Sequence, residues 1–238
     1  MKMLISLSIL DYEPDLEKHV NNLEKSEAFL KIIKLIKTGK IHKVHIDVMR
    51  PPMIPDQTKF SIDLVKRLYE KLHKETILAI HLMVHNPLPI IEKINTFIPK
   101  NQRAKTFVII QRESYTSEEE SIKALQLLKK YGYKAGICLN LTTPSEALTD
   151  KIVENADRVL FMSVPMGYGG QKYSDEATNR ISAVARKFPN KPIEVDGGID
   201  PKTIVIARRA GAKIAVVGSF ITRNDDPERA VEELEQNL

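Results

Sequence analysis

KVHIDVM (43–49), ILAIHLM (77–83) and PIEVDGG (192–198) are three short β-branched, apolar runs, each carrying histidine or aspartate near its end. Runs of this length and composition read as strands. They are mostly apolar rather than alternating, as parallel strands covered by helices are. Comparable runs near 3–9, 105–111, 134–140, 158–164 and 214–218 bring the expected strands to eight. Amphipathic segments lie between them, among them SIDLVKRLYEKLHK (61–74), SEEESIKALQLLKK (117–130) and PERAVEELEQNL (227–238). The second of these spaces Ile122, Leu125, Leu127 and Leu128 along one helical face and opens with an acidic cap region.

Eight strand–helix units in 238 residues average about 30 residues each, the size of one βα unit, and eight is the number that closes a barrel. An open doubly wound sheet would not gather residues from strands two, three and seven around one point. A closed barrel does so at the carboxyl ends of its strands. With no low-complexity stretch and no Gly/Ser-rich linker, the expectation is one α/β domain over 1–238, a (β/α)8 TIM barrel. The first connection, roughly 10–42, is the longest and has room for an extra turn or helix.

At 42 % hydrophobic and 28 % charged residues the composition is that of an ordinary globular protein. The net charge of +5 raises nucleic acid as a partner. The lysines, however, are interleaved with glutamates along expected helices rather than gathered in a stripe, so no nucleic-acid partner is expected. The modest positive field suits an anionic substrate. MKMLISLSIL (1–10) runs straight into DYEPDLE without a small-residue cleavage site and reads as a first strand, not a signal peptide. No run of 18 apolar residues occurs, so no membrane span is expected, and the expected location is the cytoplasm. The single cysteine, Cys138, lies in the apolar run AGICLN and reads as a buried small hydrophobe.

The polar residues at the strand ends carry the chemistry. His45 and Asp47, at i and i+2, point to the same face of a strand. His81 ends the next strand and Asp196 the seventh. Two imidazoles and two carboxylates suit a borderline divalent metal, zinc, iron, manganese or cobalt, and the carboxylates can also move protons. His19, His42 and His73 fall in or beside lysine-rich segments and are expected to face solvent. His85, in a loop beginning HNP, is expected on the surface.

Glycine supplies a second constellation. Of ten glycines, six are Gly167, Gly169, Gly170, Gly197, Gly198 and Gly218, in GYGGQ, DGG and GS after strands six, seven and eight. Glycine lets backbone N–H groups approach an anion closely, and loops after the last strands are the usual phosphate site of such a barrel. Met49, Met83 and Met162, at or near strand ends, suit a soft apolar lid that excludes water.

SILDYE, HIDVM, HLMVHNP, AGICLN with TTP, FMSVPMGYGGQKY, EVDGGI and VVGS occur in the order and spacing of D-ribulose-5-phosphate 3-epimerases, and the resemblance covers nearly the whole chain. It implies a ribulose-phosphate-binding barrel that holds one divalent metal and interconverts D-ribulose 5-phosphate and D-xylulose 5-phosphate. By resemblance His45, Asp47, His81 and Asp196 are metal ligands, and Asp47 and Asp196 the acid/base pair. Ser8 and His81 contact substrate. Gly169, Gly170, Gly198, Gly218 and Ser219 bind phosphate, and Met49, Met83 and Met162 cap the intermediate. The family is commonly dimeric or hexameric, which implies a homo-oligomer.

The departures surround the metal site without touching its ligands. After HIDVM the family continues Asp-Gly-x-Phe-Val-Pro-Asn, whereas this chain has RPPMIPD (50–56). The family's His-x-Glu after strand four is Gln111-Arg112-Glu113, and its Val-Asn-Pro before GYGG is Val164-Pro165-Met166. Leu7 and Leu141 replace prolines. The residues suit proton abstraction beside a ketone, one aspartate removing the C3 proton and the other returning one to the opposite face, through a metal-stabilised enediolate. The rival substrate is a hexulose 6-phosphate such as allulose 6-phosphate, motivated by the altered 50–56 loop. The rival class is a non-catalytic sugar-phosphate-binding barrel.

Overall fold

A computed structural model describes residues 2–238. Eight strands, β1 (Leu4–Ser8), β2 (Ile41–Met49), β3 (Ile77–Met83), β4 (Thr106–Gln111), β5 (Lys134–Leu139), β6 (Arg158–Met162), β7 (Ile193–Asp196) and β8 (Ile214–Val217), pair in chain order as a closed parallel barrel. Each lies within about two residues of its expected position. After each strand comes a covering helix: Glu27–Lys37, Ile62–Leu72, Leu88–Phe97, Glu118–Tyr131, Asp150–Asn155, Asp175–Lys187, Thr203–Ala210 and Pro227–Glu235. The long first connection holds an additional helix, Glu13–Lys18, and the last holds Ser219–Thr222.

Local chemistry sets these boundaries. Ser26, Ser61, Ser117, Thr149, Ser174 and Asp226 each accept a hydrogen bond from a backbone N–H in the first turn of the helix that follows, satisfying donors the helix itself cannot. Outward-facing Val44, Ile46, Ile80, Val108, Ile110 and Ile137 pack under the helices against Leu64, Leu68, Leu125 and Leu128, all of them fully buried. On the helix Glu118–Tyr131 the buried stripe is Ser121, Leu125 and Leu128, whereas Leu127 is only half-buried. The wheel position expected of Leu127 thus turns past the edge of the contact.

The barrel interior is layered by the two-residue period of its strands. On β2, Lys43, His45, Asp47 and Met49 succeed one another on the inner face; on β7, Glu194 is followed by Asp196; on β6, Arg158, Leu160 and Met162. Pairing brings Asp47 beside His81, Met49 beside Met83, and Met162 beside Asp196. The lowest layer is charged: Glu194 takes Lys43 on one carboxylate oxygen and Arg158 on the other, the latter at 2.7 Å, with the Arg158 guanidinium 3.3 Å above the Phe107 ring. Ala79, Ile109, Cys138, Leu160 and Val216 form an apolar plug, in which Cys138 is fully buried as expected. The histidines and carboxylates lie toward the strands' carboxyl ends.

Candidate metal and active site

His45 and Asp47 leave the same face of β2, as their spacing requires, and the closure of the barrel brings β3 and β7 to them. His45 Nε2 lies 3.1 Å from Asp47 Oδ1, 3.3 Å from His81 Nδ1 and 3.7 Å from Asp196 Oδ2. His81 Nδ1 is 3.2 Å from the same Asp47 oxygen. One donor atom from each of the four residues lies within 4.8 Å of the other three. Two imidazole nitrogens and two carboxylates converging on one point make a donor set that a divalent metal fits.

Neighbouring groups hold this set in place. Ser8 on β1 donates to Asp47 Oδ2 at 2.9 Å. Ser163, just past β6, donates to the main-chain oxygen of Asp196 through both Oγ and N. Behind the imidazole of His81, the Gln111 amide oxygen accepts from Nε2 at 3.2 Å, while the amide nitrogen donates to Glu113 Oε2 at 2.9 Å and to Cys138 O at 3.2 Å. With the Gln111 amide in this orientation the His81 tautomer with Nδ1 unprotonated and turned toward the cluster is favoured, the usual task of a residue behind a metal-binding histidine. Gln111 stands where the sequence departs from the family's histidine.

The two carboxylates have opposite electrostatic surroundings. Burial pushes the Asp196 carboxyl well above the usual carboxylate range, and the Asp47 charge adds to it. Burial also opposes ionisation of Asp47, but the charges and hydrogen bonds of His45 and His81 outweigh it and hold that carboxyl well below the usual range. For His45, burial favours the neutral ring, yet Asp47 and then Asp196 bring its pKa above the ordinary histidine value. Burial lowers that of His81 and, in the plug below, raises the Cys138 thiol.

Above the cluster runs one cleft. Ser8, Asp47, Asp196, Met49, Met83 and Met162 line the end nearest the cluster. Gly169, Gly170, Gly198, Gly218 and Ser219 line the other. His45 and His81, with no exposed surface, form the floor. Every site residue nominated from sequence is therefore gathered here. Gly198 adopts φ +61, and a Cβ there would fall 2.3 Å from the Tyr173 main-chain nitrogen, so no side chain fits where DGG passes GYGGQKY. The methionines divide between two apolar groups: Met49 and Met83 pack with Ile54, while Met162 packs with Val164 and Val216.

The divergent loop is held down over the methionine end. Arg50 donates from Nη1 to Met49 O and Lys59 O and from Nη2 to Phe60 O, closing 50–60 on itself, and Met53 and Ile54 reach Met49 and Met83. Of the remaining histidines, His85 is exposed as expected, but His19, His42 and His73 are half-buried. His42 belongs to β2, which begins two residues before the run quoted from the sequence. The imidazole of His73 stacks on Tyr69 at 4.8 Å, and His19 bonds to Asp15 O.

Residues 23–222 match the model of the ribulose-phosphate 3 epimerase family. The chain belongs to that family. It is 32 % identical over 198 residues to the cytoplasmic isoform of ribulose-phosphate 3-epimerase of Oryza sativa subsp. japonica, covering 82 % of each chain. It is 30 % identical over 210 residues to the ribulose-phosphate 3-epimerase of Bacillus subtilis (strain 168), covering 85 % of this chain and 89 % of the relative. The fold is shared more widely. A 3-hexulose-6-phosphate synthase from Salmonella typhimurium superposes with a TM-score of 0.68 at 16 % identity, covering 99 % of this chain and 98 % of the other. A 3-keto-L-gulonate-6-phosphate decarboxylase from Vibrio cholerae does so at 0.66 and 8 %, covering 100 % and 97 %. Ribulose-phosphate 3-epimerases are metal-dependent isomerases acting on carbohydrate phosphates, and the His/Asp cluster gives this member a place for the metal. No helix among the described residues is long and apolar enough to cross a membrane.

Sequence reading passed over Gln111 as a functional residue although it marked the departure there. Its position at the end of β4, one strand from His81, was the available signal. Reading also passed over Lys43, Arg158 and Glu194, whose inward direction follows from the same period of two that placed His45 and Asp196.

Proposed function

We propose that this protein is a metal-dependent 3-epimerase of a ketose phosphate, with D-ribulose 5-phosphate and D-xylulose 5-phosphate as its substrate and product. One observation carries the reading. Two carboxylates from distant strands, Asp47 on β2 and Asp196 on β7, meet at one end of a cleft whose other end is walled by three glycine loops. A sugar phosphate anchored at those loops extends its carbonyl end to the carboxylates, so remote binding energy positions the reacting carbon.

His45, Asp47, His81 and Asp196 would hold the metal, which would supply Lewis-acid stabilisation of negative charge developing on the substrate. One aspartate removes the C3 proton, and the other delivers a proton to the opposite face, inverting the centre. Such acid/base work contributes roughly 10²–10⁴-fold in rate for each group. Ser8 holds Asp47 by its Oδ2. Gly169, Gly170, Gly198, Gly218 and Ser219 present backbone N–H groups to the phosphate. Met49, Met83 and Met162 exclude water and place no competing proton donor beside the reacting carbon. The metal is zinc, iron, manganese or cobalt; the protein acts in the cytoplasm as a homo-oligomer, a dimer or hexamer.

The test is incubation of metal-loaded protein with ribulose 5-phosphate in D₂O, followed by NMR. Deuterium at C3 with formation of xylulose 5-phosphate is expected, and Asp196→Asn abolishes both. Binding without exchange, for every ketose phosphate offered, would mean a sugar-phosphate-binding barrel instead. The Arg50-pinned loop, which alters the methionine end of the cleft, favours a second substrate, a hexulose 6-phosphate such as allulose 6-phosphate. A higher kcat/KM for the six-carbon sugar would select it.

A further inference from the structure

Beside the glycine loops stands a fixed cation that none of the motifs contains. Arg223 follows the short helix Ser219–Thr222, and its guanidinium turns back to Asp11 near β1. Nη2 donates to Asp11 Oδ1 at 2.7 Å and Nε to Oδ2 at 3.1 Å, while Thr222 Oγ1 donates to Oδ2 at 2.6 Å. One edge of the fork is thus committed. Among the described residues, Nη1 donates to nothing. It lies against Gly170: a Cβ on that residue, which has φ +80, would sit 2.7 Å from Nη1. Arg223 also shares a cavity wall with Gly170, Gly198 and Ser219, one residue from each of the three loops that bound the far end of the cleft.

We propose that Arg223 is a phosphate-recognition residue of this cleft, its free Nη1 edge donating to the substrate phosphate where the Gly170, Gly198 and Ser219 loops meet. Asp11 is a positioning residue that fixes the guanidinium before substrate arrives. A guanidinium matches phosphate geometry with directed N–H groups, and one already held loses little conformational freedom on binding. The backbone N–H groups of the loops carry only partial charge. Arg223, with Asp11 as its counter-ion, adds a directed charge-assisted N–H donor and makes the subsite favour a phosphate over a neutral sugar end.

The inference rests on the ketose-phosphate reading, and the experiment separates the two. Inorganic phosphate binding to the full-length, metal-loaded protein is measured by calorimetry, and KM and kcat are measured for ribulose 5-phosphate and for unphosphorylated ribulose. Arg223→Gln is expected to weaken inorganic phosphate and raise KM for the phosphorylated sugar by about tenfold or more, the loss of a charge-assisted hydrogen bond. Its kinetics with unphosphorylated ribulose, which makes no phosphate contact, stay within twofold of wild type. Arg223→Lys, which keeps the charge, recovers part of the loss and guards against misfolding. Unchanged phosphate affinity in Arg223→Gln, or equal weakening of both sugars, overturns the inference while leaving the epimerase reading intact. Wild-type phosphate binding lost in Arg223→Gln, with no epimerisation by wild type, supports the subsite and fails the epimerase reading.

Discussion

Replacing Glu194 by glutamine tests what the charged layer beneath the metal site contributes. Glu194 is fully buried and serves two cations, Lys43 on one oxygen and Arg158 on the other. Glutamine keeps the shape and removes the charge, leaving two buried cations without a counter-ion. Breaking a buried pair in this way costs roughly 3–5 kcal/mol, or about 10 °C in Tm for a chain of this size. Lys43→Met removes a charge that is in excess. Burial brings the Lys43 pKa from 10.5 down to about 8 despite Glu194, a burden of ~3 kcal/mol on the charged form. What remains is a one-to-one Arg158–Glu194 pair, so Lys43→Met is expected within about 1 kcal/mol of wild type or above it. Urea unfolding followed by circular dichroism at pH 7 measures both. Destabilisation by Lys43→Met equal to that by Glu194→Gln would refute the reasoning.

The same layer gives a pH signature. Lys43 and Arg158, together with His45, outweigh burial and lower the Glu194 pKa from 4.5 to about 2. Between those values the unfolded chain binds a proton that the folded chain does not. Glu194 therefore contributes ~3 kcal/mol above pH 4.5, lost as the pH falls toward 2. Lys43 acts in the opposite direction: its folded pKa is depressed, so its burden is present below pH 8 and is relieved as the pH rises from 8 to 10.5. Glu194→Gln should flatten the acid limb of the stability curve, and Lys43→Met the alkaline one.

Gln111→Leu removes the acceptor behind His81 and should weaken metal binding by roughly 10–100-fold, read by competition with a chelating dye; affinity within twofold of wild type would count against a positioning role. Gly198→Ala forces a Cβ onto the Tyr173 backbone at a left-handed position and should lower Tm and epimerase activity together, whereas an unchanged Tm would mean that the two loops separate freely. Stripping the metal should lower Tm, with recovery as metal is added back, by about 2.7 kcal/mol at a hundredfold excess over Kd; a Tm indifferent to metal in scanning calorimetry would contradict a site formed by the four donors.

The strands were legible because each is a short branched run ending in a turn signal, and the four donors because each ends such a run. The glycine clusters were legible because glycine is scarce elsewhere in the chain. His42 and Lys43 were not, because a lysine beside a histidine at the start of a run reads as a solvent-facing edge. Lys43 is buried only because Glu194 faces it from the far wall, and hydrophobic patterning carries no record of a counter-charge on another strand. Arg223 and Asp11 escaped for the same reason: each is an ordinary surface residue until the barrel closes and sets one against the other. Arg50 marked a departure in sequence, but its three carbonyl partners follow from the path of the 50–60 loop, which no local preference dictates.

The division of the cleft between early and late strands has a consequence for assembly. His45, Asp47 and His81 arise from β2 and β3; Asp196 and all three glycine loops arise from β6 to β8. On the proposed reading, the first half of the chain brings three metal donors and no anion anchor, and the second brings the anchor and one donor. They meet only when both seams of the ring, β1 with β8 and β4 with β5, are zipped. Turnover therefore reports ring closure: a half-barrel, however well ordered, is silent, and catalysis regained on mixing two complementary halves would be a direct readout of their docking.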